Sequence, residues 1–388
     1  MHKQPIRIRA VLLRLFTPAA ILLGSVGPAA AQGGLTPGFD PAQYRTLLEM
    51  AEYQNKGLFP VDTTASRRKV PPVPMPTGYR MVYRSGEVGL YNQWDLWLKN
   101  DSSVAVIAIR GTISKAASWM ENFYAAMVPA AGALTLDDTT RFAYRLATSP
   151  RAAVHTGWLV GLAYLAPSIL HQIHRYERLG VSRYIIFGHS QGGAIALLLA
   201  SYLHYLPPSQ LSDTLVFKTY ASAAPKPGNL YYAYDFDYIT RGGWAFRVVN
   251  TRDWVPETPF SLQTLQDFND PNPFTRIRPA LRHSKLLVRL YARHMFGRLE
   301  RSSEKANRRF RKTLGKTVFK QIHRVLPGLV EPRYVHDMNY AAAGTPVILA
   351  PYPGYEAEFP FNGRNDFVHH GLDAYYQLLI HDYPVTGP

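Results

Sequence analysis

One stretch of the sequence combines a reactive side chain with the small residues that would expose it. Residues 184–200 read YIIFGHSQGGAIALLLA, so that an apolar strand-like run meets a small-residue helix at Ser190. A Gly-x-Ser-x-Gly string alone is weak, but in this context it predicts a tight elbow that presents the serine hydroxyl above a sheet. Glycine is needed at Gly188 and Gly192 because a Cβ there would collide with the neighbouring strand and helix. The pattern predicts a nucleophilic serine at a helix N-terminus that favours developing negative charge.

A serine hydroxyl is a poor nucleophile at its own pKa, so a base and an orienting acid must accompany it. In proteins with this elbow, the acid and then the histidine follow the serine along the chain. Asp253, in WAFRVVNTRDWVPETPF, stands just beyond a predicted strand, where such sheets place their sites. Asp235 and Asp237 lie in a Tyr-rich stretch and are typical of solvated turn residues. For the base, His369 and His370 in NDFVHHGLDAYYQLL both precede the last predicted helix and remain open.

Short runs rich in β-branched and aromatic residues alternate with helix-length segments, and these elements must position the reactive groups. The strand-like runs lie at 79–85, 88–98, 104–111, 184–188, 215–222 and 244–250, and the helix-like segments near 114–127, 156–177, 191–204 and 367–380. This alternation predicts an α/β fold with a mostly parallel sheet and helices on both faces. We expect this domain to span residues 78–388. Residues 32–77, rich in Pro and Gly, predict an extended N-terminal arm with one helical pattern near Tyr44–Tyr53.

The first 31 residues are typical of a signal peptide. Basic residues up to Arg14 precede an apolar stretch at 15–27, and three alanines end at Ala31. Small residues suit cleavage near Ala31, and an apolar run interrupted by Pro18 is short for a bilayer span. We therefore expect export to the periplasm or the extracellular space. The alternative is an uncleaved N-terminal anchor.

Composition excludes several classes of chemistry. None of the 388 residues is cysteine, which excludes disulfides, Cys-ligated zinc and thiolate catalysis. A hydrophobic share of 47% excludes a disordered chain. The formal net charge of +16 is concentrated, because residues 276–324 hold sixteen Lys and Arg against Glu300 and Glu304. Outside this segment and the leader the chain is nearly neutral.

Motifs spread over about residues 80–375 occur in the order found in one enzyme family. They are Arg110-Gly111-Thr112, Trp119-Met-Glu-Asn122, Val154-His155-Thr-Gly157-Trp158, the Ser190 elbow, Ala224-Pro225-Lys-Pro-Gly228-Asn229 and the loop Arg247–Pro256. Together they resemble the class 3 (fungal-type) lipases of the α/β-hydrolase superfamily. The resemblance implies the α/β-hydrolase fold.

The resemblance also implies a catalytic triad. Ser190 would be the nucleophile and Asp253 the acid. His370 would be the base, because family members commonly carry a tyrosine five residues after the catalytic histidine and Tyr375 has that spacing from His370. His369 remains the alternative base.

The oxyanion hole implied by the resemblance consists of the hydroxyl and backbone N–H of Thr112 together with the backbone N–H of Gln191. His155 precedes the elbow and would be structural. The implied reaction is acyl transfer through an acyl-serine that water hydrolyses, and it requires no metal or cofactor. We expect an exported serine hydrolase that cleaves carboxylic esters of lipids, triacylglycerol or phospholipid first. The alternatives are a soluble esterase or polyester depolymerase, and a non-catalytic lipase-like protein that binds membranes.

Relative to compact family members, residues 261–333 are an insertion. Two cationic amphipathic helices are predicted in it, with apolar faces at Leu287, Val288, Tyr291, Met295 and Leu299, and at Phe310, Leu314, Val318, Ile322 and Val325. One interpretation is a helical hairpin buried by these faces. Another is a lid or a dock for an anionic membrane surface through residues 276–324. Nucleic-acid binding is not expected, since few aromatic residues could stack bases. The usual family lid would instead come from Tyr124–Ala133.

Overall fold

The computed structural model describes residues 34–56, 71–272 and 285–384 of the chain. The predicted signal peptide with its cleavage site, residues 57–70 of the predicted arm and residues 273–284 of the predicted insertion lie outside the described residues. The strands are β1 (Tyr79–Arg84), β2 (Trp94–Lys99), β3 (Ala105–Ile109), β4 (Met127–Pro129), β5 (Ala131–Thr135), β6 (Arg141–Arg145), β7 (Ala153–His155), β8 (Arg183–His189), β9 (Val216–Ser222), β10 (Gly228–Asn229), β11 (Ala245–Asn250), β12 (Tyr340–Ala341) and β13 (Thr345–Leu349). The helices are α1 (Pro41–Asn55), α2 (Ala116–Phe123), α3 (Thr156–Glu177), α4 (Gln191–His204), α5 (Leu230–Ile239), α6 (Leu286–Arg311), α7 (Val318–Val325), α8 (Tyr355–Glu358) and α9 (Leu372–Asp382).

The central sheet has seven strands in the order β1-β2-β3-β8-β9-β11-β13. β1 and β2 pair antiparallel with each other, and β2 pairs antiparallel with β3. From β3 to β13 every pairing is parallel. Parallel strands bring their carboxyl ends to one edge of the sheet. The segments that follow β3, β8 and β11, which carry Thr112, Ser190 and Asp253, therefore share that edge. The predicted α/β fold with a mostly parallel sheet is confirmed.

Both faces of the sheet are covered because its strands are apolar on both sides. In β3, Ile107 packs into the cluster that contains residues of α3 and α4, whereas Val106 and Ala108 pack into the cluster that contains residues of α1 and α9. All three side chains are fully buried. Successive residues of one strand thus hold helices on opposite faces, as the period of two in a strand requires.

The predicted N-terminal arm contains a structural helix. The helical pattern near Tyr44–Tyr53 is confirmed as α1, which begins after Asp40, whose side chain accepts two backbone hydrogen bonds as an N-cap. The expectation of an extended arm is wrong for Pro41–Asn55, because this helix buries an apolar face against the sheet. Its residues with at most 1% exposure include Tyr44, Leu47, Leu48 and Met50.

The segment predicted as a family-type lid is a buried part of the fold. Residues Tyr124–Val128 are at most 2% exposed, and β4 pairs with β7 in a second sheet of order β12-β10-β7-β4. The following strand β5 pairs with β6. The prediction that Tyr124–Ala133 forms a lid is therefore wrong, since opening would expose apolar side chains and break strand hydrogen bonds.

The basic insertion is a nearly continuous helix in place of a hairpin. α6 runs through a π-helical segment, Lys312–Thr317, directly into α7. The predicted hairpin is wrong because no turn separates the two helices. A π-helical turn interrupts the regular backbone ladder, and here the carbonyl of Leu314 accepts the N–H of Ala126 at 3.2 Å. Gly315 permits this approach, since a Cβ there would lie 2.9 Å from the Ala126 Cβ.

Among the residues for which the structure gives positions, no helix is both long and apolar enough to cross a bilayer.

Candidate active site

The predicted elbow lies between β8 and α4. Ser190 has φ 59° and ψ −129°, a backbone geometry that costs a non-glycine residue on the order of 1–3 kcal/mol and must be held by its surroundings. Its N–H donates to the carbonyl of Ser222 on β9 at 2.9 Å. A Cβ at Gly188 would lie 2.1 Å from the Gly192 carbonyl oxygen, and a Cβ at Gly192 would lie 2.3 Å from that of Ile109. The close packing predicted at both glycines is confirmed, and it fixes Ser190 at the carboxyl edge of the sheet.

Asp253 and His370 are hydrogen-bonded although 117 positions separate them. His370 Nδ1 lies 2.7 Å from Asp253 Oδ2, and the Tyr375 hydroxyl donates to the same oxygen at 2.8 Å. The other carboxylate oxygen accepts the N–H of Val255 at 3.0 Å. Asp253 is 3% exposed, so these donors replace water. Because the Nδ1 proton is directed at the carboxylate, the lone pair on His370 Nε2 is left to accept a proton.

His369 has different contacts from those of His370. Its Nδ1 lies 3.2 Å from the Tyr355 hydroxyl, and the two rings stack with centroids 5.6 Å apart. Its backbone carbonyl accepts the side-chain amide of Asn250 at 2.8 Å. The histidine that a hydrogen bond pairs with Asp253 is His370.

A buried histidine connects the elbow with the His370 loop. His189, next to Ser190 in the chain, has its ring centroid 4.8 Å from that of His370, and its Nε2–H donates to the His370 carbonyl at 2.9 Å. Its Nδ1 lies 3.0 Å from Ser222 Oγ, which lies 2.6 Å from the Tyr44 hydroxyl of α1. Burial, followed by the charge of His370, lowers the pKa of His189 well below its usual value. The neutral ring accepts from Ser222 on one side and donates to His370 on the other.

The predicted triad residues are thus brought together in part. Asp253 and His370 form a hydrogen-bonded pair. His189, the residue before Ser190, contacts the His370 loop. Within residues 34–56, 71–272 and 285–384, no hydrogen bond joins the Ser190 hydroxyl to His370. Such bonds are often long without substrate and tighten when substrate binds. The sequence analysis missed the contact of Tyr44 with this network, because a tyrosine in a helical pattern carries no chemical signal.

The turn after β3 runs alongside the elbow. A Cβ at Gly111 would lie 2.9 Å from the His189 carbonyl oxygen and 3.6 Å from the Ser190 Cβ, so the next residue, Thr112, begins close to Ser190. The side-chain amide of Asn122 donates to Thr112 Oγ1 at 2.9 Å. A hydroxyl that accepts a hydrogen bond in this way keeps its own hydrogen for another acceptor. Thr112 can therefore donate to an oxygen bound beside the elbow.

The amide of Asn122 is oriented by its neighbours. Its Oδ1 accepts from Trp158 Nε1 and from Gln191 Nε2, each at 3.0 Å. Two donors on the oxygen direct the amide nitrogen to Thr112. Gln191 is 2% exposed and its side chain belongs to this network. Its backbone N–H is the first of α4 and has no partner within the helix.

The contacts of His155 favour the structural role predicted for it. Its Nδ1 accepts the N–H of Trp158 at 3.3 Å as the cap of α3, and the two rings stack with centroids 3.6 Å apart. Its Nε2 lies 3.1 Å from the Asn122 carbonyl oxygen. Burial lowers the pKa of His155 to about 3, so the ring stays neutral near pH 7.

Aromatic side chains flank His370. Phe367 lies with its ring centroid 5.8 Å from that of His370, 5.7 Å from that of Trp119 on α2 and 5.2 Å from that of Trp254. Trp254 is 42% exposed. A partly exposed aromatic cluster thus lies beside His370.

The family model described as Lipase (class 3) matches residues 106–263. The match includes all of β3 except Ala105, the elbow and the Asp253 loop, and it ends before α6 and His370. Among curated proteins, the secreted mono- and diacylglycerol lipase MDL2 of Malassezia globosa is 27% identical over 203 residues, which cover 52% of this chain and 60% of that protein. MDL4 of the same fungus is 31% identical over 116 residues, covering 30% and 36% respectively. The chain therefore spans between about one third and three fifths of the length of these relatives.

Solved structures similar to the chain are fungal lipases. A deletion mutant of the Rhizomucor miehei lipase propeptide complex has 18% identity, covers 58% of this chain and 65% of its own, and gives a TM-score of 0.39. Lip2 lipase from Yarrowia lipolytica has 18% identity, covers 58% and 77%, and gives a TM-score of 0.37. At residues 106–263 the chain is therefore similar in sequence to the class 3 lipases.

Proposed function

We propose that the chain is a secreted serine hydrolase that cleaves carboxylic esters of lipids. The observation that carries the proposal is the hydrogen bond between the buried Asp253 and the partly buried His370, 2.7 Å between Oδ2 and Nδ1, together with the contact of the His370 loop with the elbow residue His189. Acyl transfer by a serine requires a nucleophilic hydroxyl, a histidine with a free Nε2 lone pair and a carboxylate that orients the histidine. The serine on the strained elbow, His370 and Asp253 can fill these roles. In this proposal Ser190 is the nucleophile, His370 the base and Asp253 the orienting acid.

In the first half of the reaction, Ser190 Oγ attacks the ester carbonyl carbon while its proton passes to His370 Nε2. The carbonyl oxygen becomes an oxyanion, and the Thr112 hydroxyl and the backbone N–H groups of Thr112 and Gln191 donate to it. The C–O bond to the alcohol then breaks, the alcohol leaves with the proton from His370, and the acyl group remains on Ser190. Asp253 stays ionised and stabilises the histidinium that forms.

In the second half, water replaces the alcohol. His370 Nε2 takes a proton from the water as its oxygen attacks the acyl carbon, the same donors hold the oxyanion, and the bond to Ser190 Oγ breaks. The carboxylic acid is released and His370 returns its proton to Ser190. The neutral His189 supports this cycle, since a second cation beside His370 would oppose its protonation.

Two observations favour a lipid ester as substrate. The relatives with the matching segment are named mono- and diacylglycerol lipases, and the side chains beside His370 are aromatic. We therefore place partial acylglycerols first, with triacylglycerol and phospholipid as the next candidates. The proposal includes export through residues 1–31 with cleavage near Ala31, which the naming of these relatives as secreted supports. It also includes the domain organisation given above, with the insertion at 261–333.

The test is hydrolysis by the purified chain beginning at Gln32 of a soluble short-chain ester, and of monoacylglycerol, diacylglycerol, triacylglycerol and phospholipid dispersions. Ser190→Ala should abolish turnover of every ester with little change in melting temperature. His370→Ala should lose about a thousandfold or more in kcat, because triad members act as a unit.

His369→Ala is the matched control, since it changes the neighbouring histidine, whose ring stacks on Tyr355. We expect it to retain activity within about tenfold of the parent. A dead His369→Ala with an active His370→Ala would transfer the base to His369. Turnover by Ser190→Ala equal to the parent would refute the serine mechanism, and turnover of the soluble ester alone would favour an esterase.

A further inference from the structure

The described helices of the basic insertion differ in packing. The packed half is the π-helical segment with α7, and the exposed half begins at the start of α6. In the packed half, Ile322 of α7 is fully buried in the main core, and Phe319 lies with its ring 6.3 Å from that of Tyr124. The π-helical carbonyl of Leu314 is bonded to Ala126. Packing against the α/β domain thus accounts for the apolar side chains of Val318, Phe319 and Ile322 in this half.

Among the residues with described positions, no such packing accounts for the start of α6. We call residues 286–291, with the sequence LLVRLY, the apolar tip. Single exposed apolar residues are common on protein surfaces, whereas a contiguous exposed apolar patch marks a site of interaction. The exposed fractions in the tip are 58% for Leu286, 80% for Leu287, 53% for Val288, 53% for Leu290 and 68% for Tyr291.

The helix behind the apolar tip is strongly cationic. α6 carries eight Lys and Arg against Glu300 and Glu304, and Glu304 is already paired with His336 at 2.6 Å. At its far end a cleft of about 590 Å³ opens between the helix and residues 331–334. Glu331 is the single acid lining this cleft, and its cations are Arg308, Arg311, Lys312, Lys316 and Arg333.

The helix is held at its cationic end. The Glu304–His336 contact, the buried Asn307 and the stacking of Phe310 on Phe260, with centroids 6.4 Å apart, all lie in the last third of α6. At 1.5 Å per residue, the tip begins roughly 27 Å along the helix from Glu304. The apolar tip and the cationic cleft are thus at opposite ends of one anchored helix.

We propose that α6 lies along an anionic phospholipid surface and docks the protein there, with the apolar tip inserted among acyl chains and the cations along the rest of the helix on phosphate headgroups. This deepens the proposed lipase function by naming the surface at which the enzyme meets its substrate. A lipid surface satisfies both features, since it buries apolar side chains and carries negative charge. A nucleic acid would pair with the cations but leave the five apolar side chains of the tip in water.

The experiment measures co-flotation of the Ser190→Ala protein with vesicles, so that binding is separated from turnover. Vesicles of phosphatidylcholine alone are compared with vesicles that contain one third phosphatidylglycerol, at low and at high salt. The parent should bind the anionic vesicles at least tenfold more tightly than the neutral ones, and high salt should weaken this binding. Leu287→Ser with Tyr291→Ser should weaken it at least tenfold, and Arg308→Gln with Arg311→Gln should weaken it and reduce its dependence on salt.

The matched controls are Leu179→Ser and Arg178→Gln, at the end of α3. Leu179 is 69% exposed, comparable with the residues of the tip. Both controls should bind as the parent does, and all variants should keep the parent's melting temperature and, with Ser190 restored, its turnover of a soluble ester. Three results would overturn the proposal. The Leu287/Tyr291 variant could bind as tightly as the parent, the parent could bind neutral and anionic vesicles equally, or duplex DNA could displace the parent from vesicles. If the parent with Ser190 hydrolysed no ester, the proposed function would be refuted instead. The two failures are distinguishable because vesicle binding is measured with the Ser190→Ala protein, which does not depend on catalysis.

Discussion

In the proposed reaction, the Thr112 side chain is oriented before the oxyanion forms. Its Oγ1 accepts from Asn122, whose own orientation is fixed by Trp158 and Gln191. The hydroxyl hydrogen is therefore directed away from Asn122 before any substrate binds. Donors oriented in advance need little reorganisation as an oxyanion develops, and this is where electrostatic catalysis gains most.

Thr112→Val tests this preparation. Valine keeps the branched shape and removes the hydroxyl, so we expect kcat for a soluble ester to fall by about 10²–10³ with little change in KM, as for the loss of one oxyanion donor. Thr112→Ser retains the hydroxyl and should stay within about tenfold of the parent. Equal losses in the two variants would show that packing, and not the hydroxyl, matters at this position.

At the residue scale, the sequence predicts candidate reactive groups but not the contacts that support them. Of the predicted residues Ser190, Asp253 and His370, the structure joins the last two by a hydrogen bond. The spacing of Tyr375 from His370 is explained by the hydrogen bond of Tyr375 to Asp253 at 2.8 Å. Tyr44 was not predicted to contact this region, although its hydroxyl lies 2.6 Å from Ser222 Oγ. A supporting contact between residues 178 positions apart has no local pattern, so only the fold reveals it.

At the scale of the elements, the cationic composition of α7 does not reveal that the helix is part of the core. Its sequence is cationic, yet Ile322 is fully buried while Val325, one turn later, is 44% exposed. The helix packs on α2, which carries Asn122, and the adjoining Tyr334 hydroxyl lies 2.8 Å from that of Tyr124. Packing of the insertion thus supports the segment that orients Thr112.

Ile322→Ala tests this packing. Removing a buried isoleucine should lower the free energy of unfolding by about 2–5 kcal/mol, measured by urea denaturation. Val325→Ala on the same helix is the control and should change it by about 0.5 kcal/mol or less. If the two variants were equally stable, α7 would not be part of the cooperative core.

Element boundaries were predicted well where the periodicity was strong. The predicted helices at 156–177 and 191–204 coincide with α3 and α4. The insertion was predicted less well, because amphipathic periodicity identifies a helix but does not say whether a turn or a π-helical segment joins it to the next. The lid prediction failed for a related reason, since an apolar sequence fits a buried strand as well as a mobile cover.

For the whole molecule, buried titratable groups make the free energy of unfolding depend on pH, and different groups change it in opposite directions. Burial lowers the pKa of His155 from 6.5 to about 3, so its contribution is present above pH 6.5 and is lost as the pH falls. Burial raises the pKa of Asp267 to about 6, so its contribution is present below about pH 4 and is lost as the pH rises through 6. Between about pH 4 and pH 6 the two slopes oppose each other, so these two groups together change the free energy of unfolding little in that window.

Glu121, like Asp95, is a fully buried carboxyl-bearing residue. It is 0% exposed on α2, and both of its oxygens face the side-chain amide nitrogen of Asn92, at 3.0 and 2.9 Å. Burial raises its pKa well above 4.5, and the hydrogen bond from Asn92 opposes this only in part. The neutral acid is therefore the form that suits the fold. Its stabilising contribution is fully present below pH 4.5 and is lost as the pH rises through the folded-state pKa.

Glu121→Gln isolates this effect. The amide cannot ionise. Once the Asn92 amide turns over, its Oδ1, a buried oxygen that lacks a partner within the described part of the chain, can accept the N–H of the new amide. We expect the variant to raise the free energy of unfolding by about 1–3 kcal/mol at pH 8, the cost of a buried polar group left poorly satisfied, and by much less at pH 4. Urea denaturation at both pH values measures the difference, with the exposed Glu300→Gln as control. A gain of the same size at pH 4 and pH 8 would mean that Glu121 stays neutral throughout, and a loss at both would mean that the ionised carboxylate supports the fold next to Asn122.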